Sequence, residues 1–76
     1  MTDLLKYIIK GITDSDDFEV SESQEEDFTV YTIKASKDII GMIIGKEGKT
    51  IKAIRQILTI RATIDQVRFR LNVEEK

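Results

Sequence analysis

Two glycines three residues apart, Gly45 and Gly48, separate an apolar run at helical spacing, Ile39, Ile40, Ile43 and Ile44, from a second one, Ile51, Ile54, Ile57 and Leu58. A chain carrying this pattern must bring two helices together at a tight corner, because Gly45 suits the left-handed position just past a helix end. Ser36 is placed to cap the first helix, Lys37 to Ile44, with Asp38 in its first turn. The second helix turns Ile51, Ile54, Ile57 and Leu58 to one side and Lys49, Lys52 and Arg55 to another, with Ile60 and Ala62 closing it near Thr63.

The remaining segments follow from the same reading. Leu4, Leu5, Ile8, Ile9 and Ile12 predict an opening amphipathic helix with Thr2 as its N-cap and an end near Thr13. Asp14 to Asp17 reads as a turn, Phe18 to Ser21 as a strand, and Ser23 to Asp27 as a polar hairpin connection. Phe28 to Ala35, rich in Thr, Val, Tyr and Ile, is the central strand, with either face free to be the buried one. Val67 to Val73 alternates throughout, which turns Val67, Phe69, Leu71 and Val73 inward and leaves Glu74 to Lys76 as a solvated tail. The expected order is α-β-β-α-α-β in one domain spanning residues 1–76, an α+β fold with helices on one face of a three-stranded sheet.

Seventy-six residues leave room for one core only. The absence of cysteine removes disulfides and thiolate metal sites, and the absence of histidine removes the usual general base. Catalysis is therefore a poor expectation, and no cofactor, metal or small-molecule substrate is implied. The start of the chain lacks the pattern of a signal peptide, and no apolar run approaches the roughly 20 residues needed to span a bilayer, so the reading is cytoplasmic with no membrane partner.

Net charge is −2, but it is unevenly placed. Residues 1–33 hold nine acids and two lysines, whereas residues 34–70 hold nine bases against Asp38, Glu47 and Asp65. The basic part contains the glycine pair, which fits a local anion site on an otherwise acidic molecule.

Gly48-Lys49-Thr50 copies the end of a nucleotide-binding P-loop, but the opening glycine of that pattern would have to fall at Ile43, and a helix rather than a strand precedes it. The better reading is a G-x-x-G corner that clamps a nucleic-acid backbone. Glycine lets the sugar-phosphate chain approach closely, amides from Gly48 onward face the anion with the helix dipole behind them, and Lys46 and Lys49 add charge.

The stretch IIGKEGKTIKAIR resembles the signature of the KH domain, matching it at Ile43, Ile44, Gly45, Gly48 and Ile51. The extra helix and strand before the strand-helix-helix-strand unit resemble the type II arrangement over nearly the whole chain. That resemblance implies an antiparallel hairpin of the Phe18 and Phe28 strands and a Phe69 strand parallel to the latter. It also implies single-stranded RNA as partner, its backbone held by Gly45, Lys46, Glu47, Gly48 and Lys49. Bases would lie over Ile40, Ile43, Ile44 and Ile51, with Lys52 and Arg55 as a secondary electrostatic track. Small stand-alone chains of this kind further imply self-association and pairing with a larger KH-containing partner. Glu47 departs from the pattern, placing a negative charge where the family often has a neutral or basic residue. Phe69 is expected in the core rather than as a stacking platform.

Overall fold

The computed structural model describes residues 1–76 and runs α1 (Thr2–Thr13), β1 (Phe18–Gln24), β2 (Thr29–Ala35), α2 (Lys37–Ile44), a 3₁₀ turn (Lys46–Gly48), α3 (Lys49–Asp65) and β3 (Phe69–Glu75). This is the expected α+β order. The sheet order is β1-β2-β3. β1 runs antiparallel to β2, with Phe18 opposite Ala35 and Gln24 opposite Thr29. β3 lies parallel to β2, with Thr29 beside Phe69 and Ala35 beside Glu75.

The structure decides which face of β2 is covered. Thr29, Tyr31, Ile33 and Ala35 are buried and alternate with Val30, Thr32 and Lys34. Through the strand register this face continues into Phe18 and Val20 of β1 and Phe69, Leu71 and Val73 of β3, all packed against the core. Leu5 and Ile9 of α1, Ile43 of α2, and Ile54 and Leu58 of α3 close over it. No helix is long and apolar enough to cross a membrane.

Several expectations need correction at element ends. Met1, not Thr2, is the N-cap of α1, and Thr2 is already helical. α1 ends at Thr13 as expected, and the left-handed backbone of Asp14 just beyond it (φ 51°) lets the Asp14 amide reach Lys10 O. β1 extends to Gln24, well into the stretch read as a connection. α3 continues to Asp65, where Gln66 takes the left-handed conformation and the Gln66 and Val67 amides donate to Thr63 O and Ala62 O. That Schellman turn is built without glycine.

Glu74 and Glu75, expected in a solvated tail, are exposed but belong to β3, and Lys76 N donates to Ala35 O at 2.9 Å. Val67 precedes the strand and is exposed. Ile57 stands away from the core, since the buried line of α3 is Ile54, Leu58 and Ala62.

Burial pushes the Tyr31 phenol above its ordinary value of about 10, and Glu22, its partner across β1, reinforces this by hydrogen bonding and by its charge. Asp65 adds a smaller push in the same direction. A raised folded-state pKa means that the stability contributed by the neutral phenol is fully present below about pH 10 and is lost as pH climbs through the folded value. Urea midpoints measured across this alkaline window should fall more steeply for the wild type than for Tyr31→Phe, and parallel curves would remove Tyr31 as the cause.

Candidate nucleic-acid interface

The corner between α2 and α3 is set by backbone conformations that few residues adopt. Gly45 has φ 75° and ψ 176°, so the expected left-handed residue is instead in a positive-φ, extended region that is essentially restricted to glycine. Its amide still ends α2 by donating to Gly41 O at 2.9 Å. A Cβ at this position would overlap the Thr50 hydroxyl and come within 2.6 Å of Thr50 Cβ and 3.0 Å of Thr50 N. Gly48 is left-handed (φ 73°, ψ 15°), and a Cβ there would meet nothing within 4 Å. The two glycines thus answer different demands, contact at Gly45 and conformation at Gly48.

Between them Glu47 also takes a positive φ, 58°, an uncommon setting for a residue with a side chain. The 3₁₀ turn this creates engages the Gly48 amide with Gly45 O at 3.2 Å and the Lys49 amide with Lys46 O. The expectation that the amides from Gly48 onward face an anion is therefore corrected for these two. Charge at the corner is carried by side chains instead. Lys46 is exposed and belongs to none of the ion pairs, whereas Lys49 Nζ lies 3.9 Å from Glu47 Oε2. Both members of that pair are well exposed, so its contribution to stability is small. Its effect is local, since Glu47 offsets one of the two cations beside the corner.

Three of the four isoleucines expected to underlie bases are accessible. Ile40 and Ile51 are half-buried and Ile44 is 38% exposed. Ile43 is corrected: it is fully buried, packed into the core, and presents nothing to a ligand. Its place is to anchor the end of α2 two residues before Gly45. Lys52 and Arg55 are exposed on α3 and free of ion pairs. Arg55, six residues beyond Lys49, stands about 9 Å along the helix from the corner.

Arg55 also enters a groove that sequence reasoning missed. It runs between α3 and β3 and is lined by Arg55, Thr59, Phe69, Arg70, Leu71 and Asn72. β3 is an edge strand, so on this side its backbone groups have no strand neighbour. The only sequence signal was the alternation that made Phe69 and Leu71 inward residues. They are inward, but at the sheet edge they remain half-buried, with Phe69 meeting Tyr31 edge to face at a centroid distance of 6.5 Å.

Comparison with known proteins places these features in a family. The family model described as "KhpA/KhpB, KH domain" matches residues 2–73. The RNA-binding protein KhpA of Chlamydia caviae is 41% identical over 76 residues, covering 99% of this chain and 97% of its own. KhpA of Chlamydia trachomatis is 39% identical over 77 residues, covering 100% of this chain and 99% of its own. KhpA of Thermotoga maritima is 37% identical over 60 residues, covering 78% and 80%.

The two glycines should separate by substitution. Gly45→Ala combines a glycine-only backbone with an overlap against Thr50 and should cost about 3 kcal/mol. Gly48→Ala faces only the left-handed penalty and should cost about 1 kcal/mol. Urea denaturation of both variants measures the difference, and equal costs would contradict the asymmetry.

Proposed function

Because the chain belongs to the KhpA/KhpB family of KH domains, we propose that it binds single-stranded RNA, without catalysis, as a cytoplasmic bacterial RNA chaperone or post-transcriptional regulator. The observation that carries this reading is the Gly45 to Gly48 corner, where the unpaired Lys46 lies in the turn between two helices that carry the accessible Ile40, Ile44 and Ile51. Backbone phosphates take the corner, with Gly48, where a Cβ would face open space, allowing close approach and Lys46, then Lys49, supplying charge. Glu47 moderates that attraction by holding Lys49. About four nucleotides then extend along the aliphatic surface, which is the span such a loop clamps, with Lys52 and Arg55 following the phosphates. The processes served, by likeness to the family, are cell-wall synthesis and control of cell length.

A groove holding so few nucleotides binds weakly, and two copies joined together raise the effective affinity without new contacts. The surface for this is the outer side of α3, where Ile57, Ile60 and Ile64 are 44%, 64% and 71% exposed at i, i+3 and i+7. Val67, just past the end of that helix, is also exposed, at 46%. A second copy of the chain is the first occupant, and a larger KhpB-like, or Jag-like, protein carrying a comparable helix is the second. The same stripe, with the Glu47–Lys49 pair, favours a second reading in which contact with a protein partner dominates and RNA affinity is slight.

Two measurements test these readings. The log-log dependence of RNA affinity on salt should lose about 0.7 from its slope in Lys46→Ala, the single-strand value for one phosphate contact. An unchanged slope removes Lys46 from the phosphate site, and no RNA binding by the wild type leaves the protein-contact reading. In sedimentation equilibrium, Ile60→Asp should convert a dimer to a folded monomer with weaker RNA binding. A wild type already monomeric at high concentration would reject self-association through α3.

A further inference from the structure

The face of the sheet opposite the helices carries one aromatic side chain whose position the core does not explain. Of the three phenylalanines, Phe18 and Phe69 pack against the core, whereas Phe28 does not, although it is half-buried. What covers it is Arg70, whose Cζ lies 4.8 Å from the centre of the Phe28 ring. The alternation of β3 explains the meeting: Phe69 and Leu71 turn toward the helices, so Arg70 between them turns to the open face, beside Val30 of β2. Arg68 stands one position before the Thr29–Phe69 pair, as Phe28 does, and is exposed. Neither arginine belongs to an ion pair.

A guanidinium lying on a phenyl ring presents a flat, cationic surface, and unpaired bases stack on both kinds of plane. Arg70 also lines the groove between α3 and β3, so it connects that groove, around the free edge of β3, with the open face. We infer that the Phe28–Arg70 stack is a second single-stranded RNA contact, which receives a base as the strand leaves the α3–β3 groove. This rests on the RNA-binding reading above and extends the path beyond the loop and the aliphatic surface. Glu25, Glu26 and Asp27 immediately precede Phe28 and are exposed, so a phosphate is disfavoured there and the contact is with a base. Stacking tolerates any base, because each has a π-face, and the contact adds reach without adding sequence preference.

The test compares random-sequence RNA of about four nucleotides, the span of the loop and aliphatic surface, with RNA about twice as long. The longer RNA should bind the wild type at least about fivefold more tightly than it binds Phe28→Leu, the lower end of what one stacked base contributes. The shorter RNA should bind both proteins alike. The chain has no tryptophan, so Phe28→Trp keeps the stacking plane and adds a reporter whose emission should be quenched by the longer RNA and not by the shorter. This second readout stands even if Phe28→Leu fails to fold. Equal binding of the longer RNA to wild type and Phe28→Leu, with unmoved indole emission from the Phe28→Trp variant, overturns the inference while leaving the loop reading intact. Absence of binding by the wild type to either RNA overturns both.

Discussion

The fold depends on the parallel pairing of β2 with β3. Strands that run the same way cannot be joined by a tight turn, so the chain must leave the end of β2, cross the sheet and return to the start of β3. α2, the 3₁₀ turn and α3 make that crossing, and the burial of Ile43, Ile54 and Leu58 holds it against the sheet. The corner between the helices is therefore fixed at both sides by core residues. Gly45 resolves the geometry by letting the backbone of one helix end touch Thr50 in the first turn of the next. A loop shaped in this way is formed before any ligand arrives, and binding does not have to order it.

Charge follows the same division. The hairpin half is acidic and the crossing is basic, so the molecule carries a local positive region within a net negative field. Within that region the cations differ. Lys46, Lys52 and Arg55 are unpaired, while Lys49 faces Glu47 and Arg61 is held by Asp65 at 2.9 Å. The cations of the crossing that remain free, Lys37 among them, therefore lie on α2, at the corner and on α3.

The sequence contained the element order, the register of alternation in β3 and the position of the corner, because each depends on side-chain period or on glycine. It contained the ends of α1 and α2, at Thr13 and Ile44, but not those of β1 and α3, which run on to Gln24 and Asp65. Glu47 and Gln66 adopt positive φ without being glycine, and rules that look for glycine at helix ends pass over them. Ile43 and Ile57 show the other limit. Both sit in apolar helical runs, yet one is fully buried and the other 44% exposed, since the face a helix buries is chosen by the sheet beneath it. The groove beside β3 was hidden for the same reason: alternation marks Phe69 and Leu71 as inward, but only the strand order makes theirs an edge.

The free edge of β1 has a consequence for how copies of this chain can assemble. An unpaired strand is a template for open-ended stacking, and edge charges are a common defence against it. Glu19 and Glu22 lie on that strand, exposed, and two such edges brought together would set like charges side by side. Growth by sheet extension is disfavoured at that side, which leaves the exposed helical stripe on α3 as the apolar surface a second copy would have to use. A pair in which that stripe met its own copy about a two-fold axis would close as a finite, symmetric particle, whereas the same stripe against a different surface would leave the assembly open.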